Sequence, residues 1–259
     1  MRDNLEMVHK NEVKQKLFLD SNIDKIDKKY VVEEKKTNNF KTTHYIVAKE
    51  NKKQLKREMG DYYVINFNYE KLYTKQNYLI KEVERVIRNF LKKYHKVEKV
   101  LMIGLGNENV LGDSLGVEVT NKVIATNQYT DFLTIPKIAL FNPSVTEKTG
   151  INSYNLIKMV VEDIKPDIII MIDSLATNKE EYLNSAIEIN DTGIIPGSAL
   201  NSSREINKNS FHLPILAIGV PCCLIINKKI YNSAFIKEVI TLSSDIISKS
   251  LNNLFIEHH

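Results

Sequence analysis

The chain has 259 residues, 43% of them hydrophobic and 26% charged, with only nine glycines and six prolines. That composition excludes collagen-like and intrinsically disordered chains and allows one large core, alone or with an appendage. The formal charge of +4 is uneven: residues 1–100 hold 24 Lys+Arg against 15 Asp+Glu and the remainder 12 against 17, a basic front of lysines interspersed with acids ahead of a mildly acidic body.

Residues 1–60 are polar and lysine-rich and read as an N-terminal extension, with residues 61–259 as the main domain. The first residues lack an apolar signal region, and no apolar run approaches the roughly 18 residues of a membrane span. A reducing, cytoplasmic setting without membrane contact is therefore expected. Short alternating runs at 44–48 and 62–68 predict a small β element. Leu79, Val83, Val86, Ile87, Phe90 and Leu91 then mark an amphipathic helix over 76–93. The apolar run 100–105, closed by glycines, predicts a buried parallel strand, with a helix from 114 to 126 after it. Leu156, Ile157, Val160, Val161 and Ile164 form a second helical stripe, stopped by Pro166. Strands are expected at 168–172, 186–189 and 215–218, and a closing helix over 233–256. Strands alternating with helices give an α/β fold whose parallel or mixed sheet is covered on both faces.

Sites in such sheets lie beyond the carboxyl ends of the strands. Asp113 and Asp173 both fall there, one in residues 104–116 (GLGNENVLGDSLG), the other directly after the run 168–172. Two carboxylates that meet in a cleft can share a proton and so activate water without metal or thiol. The competing reading makes one a helix cap and the other a strand-end cap. Other patterns are weaker. The glycines of 104–106 fail the dinucleotide spacing because Asn109 stands where a third glycine belongs, and there is no phosphate-loop or nucleic-acid motif. Asp191-Thr-Gly occurs in all-β aspartic proteases but also makes an ordinary turn. The six histidines form no HExxH pattern, and adjacent Cys222 and Cys223 lack metal-ligand spacing, so neither a metal nor a cofactor is expected.

At these residues the chain resembles the germination protease family of spore-forming bacteria. Residues 104–116 resemble the family's GLGNxNVTPDALG. Residues 165–176 (KPDIIIMIDSLA) resemble KPDxVIAIDALAA, 187–198 (IEINDTGIIPGS) resemble IQISDTGIHPGS, and 213–221 (LPILAIGVP) resemble VPVIAIGVP. The resemblance implies a three-layer α/β/α sandwich with a mostly parallel sheet, shared with hydrogenase maturation endopeptidases. It also implies an aspartic-type endopeptidase acting on small, DNA-associated, acid-soluble spore proteins in the spore core or forespore. Asp113 and Asp173 then form the catalytic pair, with Asp191, Gly106 and Asn107 in support. The family is made as a zymogen and its precedent is a homo-oligomer; residues 17–21 (LFLDS) lie in the region of its processing site. Leu111-Gly112 replaces the family's Thr-Pro, and a long family segment between Pro221 and the last helix is almost wholly missing. The resemblance leaves two alternatives: a catalytically reduced binding or regulatory relative, and a nickel-dependent maturation endopeptidase.

Overall fold

The computed structural model describes residues 5–8, 30–55, 57–129, 135–194, 206, 208–226 and 229–257. The stretches at 17–21 and 195–199 lie outside them.

Ten strands among the described residues form one mixed sheet. Its centre is parallel: β5 (Lys99–Gly104), β6 (Lys137–Phe141), β7 (Ile168–Thr177) and β9 (Ile215–Ile226) lie in the order β6-β5-β7-β9. An antiparallel wing continues from β9 through β8 (Ala186–Asn190), β4 (Gly60–Phe67), β3 (Phe40–Val47) and β2 (Val31–Lys36). β10 (Lys229–Ser233) pairs with the last residues of β9 and with β1 (Leu5–Val8).

The period-2 geometry of β7 sends successive side chains to opposite faces. Ile168, Ile170 and Ile172 pack with residues of α2 (Leu72–Leu91), α3 (Leu115–Thr120) and α7 (Ile236–Asn252), while Ile169 and Met171 pack with Ile157 and Val161 of α5 (Ser153–Ile164). Each fully buried isoleucine removes enough apolar surface to contribute about 1.5–3 kcal/mol. Both faces are thus helix-covered, as a three-layer α/β/α sandwich requires. The short helices α1 (Lys52–Leu55), α4 (Thr146–Thr149) and α6 (Lys208–Phe211) lie in connections.

Several boundaries differ from the sequence reading. The extension expected over 1–60 is, from Val31 to Val47, part of the main sheet through the β4–β8 pairing. The helix expected over 114–126 stops at Thr120. The chain is drawn instead to β6, where the Thr126 hydroxyl donates to Pro136 O and accepts from Ile138 N–H, both at 2.8 Å. β7 does not end at Ile172 but runs through Asp173 to Thr177, and β9 runs to Ile226, because each finds the other as a partner beyond the expected ends. The edge strand β6, only five residues long, was not anticipated. The helix stripe before Pro166 ends as expected, with Lys165 in the left-handed conformation at φ 52°.

Candidate active site

The site is built where β5 stops. Leu105 N–H donates to Ile172 O (2.8 Å), so the chain leaves the sheet beside β7. At Gly106 the backbone turns with φ +109°, and a Cβ there would stand 1.9 Å from Asp113 O. Only glycine admits both the dihedral and the approach. The loop then doubles back: Asn107 Oδ1 accepts from Asn109 N–H (3.0 Å), Val110 N–H donates to Asn107 O (3.0 Å), and Asp113 N–H donates to Val110 O (3.0 Å). This folding brings Asn107 N–H to Asp113 Oδ2 at 2.8 Å. Cys223 Sγ approaches Gly112 O (3.8 Å) beneath the loop, and Lys148 of α4 pairs with Glu108 (2.7 Å) at its outer side. The helix-cap role considered for Asp113 is not the one found. The N-cap of α3 is Ser114, which makes no side-chain cap bond, and the Asp113 carboxylate reaches back to Asn107 instead.

A second close approach holds loop and strand together. A Cβ on Gly116 would lie 2.4 Å from both Ile172 O and Leu105 O, so the start of α3 is seated directly against the strand ends. Asp173 follows Ile172. It is the first residue of β7 past its pairing with Gly104 of β5, yet it still pairs with Gly219 of β9. The expectation that Asp173 lies beyond its strand is therefore not met: it stands within β7, past only the pairing with β5. Its Oδ1 accepts from Ser174 N–H (2.8 Å). Asp113 and Asp173 are 8% and 9% exposed, so both carboxyls are largely withdrawn from water at the carboxyl end of β5.

Alternation puts Asp173 on the α5 face, between Met171 in one apolar cluster and Leu175 in another. Glu188 was not anticipated. It pairs with Gly219, which pairs with Asp173, so the two acids share one row across three strands. Leu175 lies over the glycine between them, its Cγ 2.5 Å from where a Cβ would be. Glu188 is 1% exposed and accepts from Asn190 Nδ2 (3.1 Å). Its signal in the sequence was an acid flanked by isoleucines in mid-strand, where burial makes a charge expensive unless it is bonded.

Asp191 bonds to the antiparallel wing and the end of α2. One residue after β8, its Oδ1 accepts Asp61 N–H (2.8 Å) and its Oδ2 accepts Lys93 Nζ (2.9 Å). Lys93 also donates to Asp61 Oδ2 (2.6 Å), whose Oδ1 lies 2.5 Å from His44 Nε2. This group ties the β3–β4 wing to the end of α2. The turn after it is set by Asn190, whose Oδ1 accepts Thr192 N–H (3.0 Å) and Gly193 N–H (3.2 Å). The His44 hydrogen bond, opposed by burial and aided by Lys93, lowers the Asp61 carboxyl from its ordinary 3.8 to about 2. A carboxyl so depressed stabilises the fold above its unfolded value and loses that contribution as pH falls through the folded one. Asp61→Asn is thus expected to weaken the fold at pH 6, with the gap to wild type closing between about pH 4 and pH 2 in urea titrations. A gap independent of pH would refute the assignment.

Among the described residues no group of three or more His, Cys, Asp or Glu is arranged to hold a metal ion, and no helix is long and apolar enough to cross a membrane. Cys222 and Cys223 are both buried within β9, and they form no disulfide.

Comparison with known proteins places these motifs in context. The family profile described as germination protease matches residues 3–238. The germination protease of Caldanaerobacter subterraneus subsp. tengcongensis is 33% identical over 186 residues, covering 68% of this chain and 57% of that protein. That of Clostridium acetobutylicum is 31% identical over 193 residues (70% and 58%), and that of Oceanobacillus iheyensis 30% over 246 residues (89% and 62%). The chain thus spans somewhat over half the length of these relatives. Among solved structures, a [NiFe] hydrogenase maturation protease from Thermococcus kodakarensis KOD1 aligns with 65% of this chain and 99% of its own, at 16% identity and a TM-score of 0.40.

Proposed function

The chain belongs to the germination protease family, and from that premise we propose that it is an endopeptidase that hydrolyses small acid-soluble spore proteins through Asp113 and Asp173. The observation that carries this reading is the placement of two largely buried carboxylates at the end of one strand, each in a segment that resembles a family motif. No sulfur or hydroxyl nucleophile has to be invoked.

In the proposed reaction one carboxyl of the pair carries a proton and the other is ionised. The ionised one takes a proton from water as its oxygen attacks the scissile carbonyl carbon, and the protonated one donates to the carbonyl oxygen. The tetrahedral gem-diol then collapses to the carboxylic acid, one of its hydroxyls returning a proton to the carboxyl that had donated. The proton taken from water passes to the departing amide nitrogen, and the peptide C–N bond breaks. Asn107 N–H fixes Asp113 Oδ2, so this carboxylate is oriented before substrate arrives. Withdrawal from water strengthens each of these interactions, because little solvent is left to screen them.

Incubating the purified chain with small acid-soluble spore proteins and sizing the products by mass spectrometry tests the proposal, and discrete internal cleavage is expected. A second reading, a family member that binds such proteins without cutting, is favoured by one observation: β9 passes almost directly into β10 and α7 where the resembled family carries a long segment. Co-sedimentation of intact substrate with the chain and no fragments would select that reading. In either case the site of action would be the spore core or forespore.

A further inference from the structure

On the side of α2 away from the core, four cations recur at i, i+4, i+7 and i+11: Lys81, Arg85, Arg88 and Lys92. The last follows the helix but continues its winding, its N–H donating to Arg88 O at 2.9 Å. At 3.6 residues per turn these positions fall within an arc of about 60° and span about 16 Å of axis. Lys81, Arg88 and Lys92 are exposed and, among the described residues, form no ion pair; Arg85 is held by the buried Glu82. Glu82 also accepts from Lys35 and Thr42, so its charge is already spoken for. The other helix acid nearby, Glu84, accepts from Asn253 Nδ2 (2.7 Å).

Like charges at i, i+4 repel, and solvated helices ordinarily interleave them with acids. One acid is interleaved, half-buried Glu84, three residues after Lys81 and four before Arg88. Leu79, Ile80, Val83, Val86, Ile87 and Phe90 are buried, and exposed Tyr78 stands at the edge of the stripe, a turn before Lys81, so no apolar side chain lies at its centre. A protein partner would need aromatic or aliphatic anchors at the centre of its contact. A face carrying four cations against one flanking acid, with no apolar anchor at its centre, instead matches a duplex, which presents one negative charge per about 1.7 Å of axis and a major groove about 12 Å wide, close to the diameter of a helix.

We propose that the outer face of α2 binds the phosphate backbone of double-stranded DNA without reading its sequence. This surface lies apart from Asp113 and Asp173 and does not depend on the protease reading. Binding of a fluorescein-labelled duplex of arbitrary sequence to the full chain, followed by anisotropy, tests it. With three unpaired cations the affinity should fall about 40-fold between 50 and 200 mM salt. The triple variant Lys81→Gln/Arg88→Gln/Lys92→Gln should bind at least about tenfold more weakly and lose most of the salt slope. The single variant Arg88→Glu should give a smaller loss in the same direction, and circular dichroism should show unchanged melting for both. Wild-type affinity in the triple variant would overturn the proposal, because binding would then belong to other lysines of the chain. So would poly-L-glutamate bound through the same residues as tightly as the duplex.

Discussion

Asp113→Asn and Asp173→Asn are each expected to reduce cleavage of spore proteins by about a thousandfold or more, with folding intact. Positioned acid–base groups contribute about 10²–10⁴-fold each, and two that share one proton fail together when either is lost. The double variant should therefore be no slower than either single one, because groups acting as a unit are not additive. Asparagine keeps an acceptor oxygen for Asn107 N–H at position 113 and for Ser174 N–H at position 173, so the hydrogen bonds that shape the site survive the change. Initial rates for the four proteins, alongside thermal melts, provide the measurement. Full activity in either single variant, or losses that multiply in the double, would remove the pair from the mechanism.

Gly106→Ala should be the most damaging small substitution in the loop. Its φ of +109° is poorly accessible to alanine, and the added methyl would stand 1.9 Å from Asp113 O. The obstacle is backbone, which cannot swing aside as a side-chain tip can. The loop must open, and with it the Asn107–Asp113 hydrogen bond. Strain and overpacking together should cost about 3 kcal/mol, which lowers Tm by about 6–12 °C in a chain of this size. Activity should fall further than stability, since the displaced group is the carboxylate itself. Gly150 supplies the control: its φ is also positive, at +69°, but nothing lies within 4 Å of a Cβ there. Gly150→Ala should cost about 1 kcal/mol for the dihedral alone and leave cleavage unchanged. Equal effects at the two glycines would show that the close approach at Gly106 has no bearing on the site.

Elements with long, one-sided apolar patterns were legible in the sequence. The stripes of α2, α5 and α7 and the apolar starts of β5, β7 and β9 appear where their periodicity puts them, because burial on a fixed face forces that periodicity. The edge strands β2 and β6 were not. β6 has five residues, and β2, with its sequence VVEEKK, buries little, so neither leaves a pattern that stands out from a polar loop. The extensions of β7 and β9 were hidden for a different reason. Both strands continue past the apolar run only because they pair with one another, which no local property of either segment records.

The same division runs through the site. The sequence by itself determined the α/β class, the candidate aspartates and the glycines around Asp113, since these rest on residue type and local spacing. It also supplied the basic front, but as lysines scattered among acids. Tertiary structure decided what each group is used for. Asp113 turns to Asn107 rather than to its helix, Asp191 joins Lys93 and Asp61 at the wing, and Glu188 enters the row of Asp173 across Gly219. It also decided that Lys81, Arg88 and Lys92 are exposed on one face of α2 without ion pairs among the described residues, with Glu82 buried and Glu84 bonded to Asn253 beside them. Hydrogen-bond partners and cross-strand neighbours come from segments tens of residues apart. Their meeting is set by packing the two faces of the sheet, and a linear reading has no access to that packing.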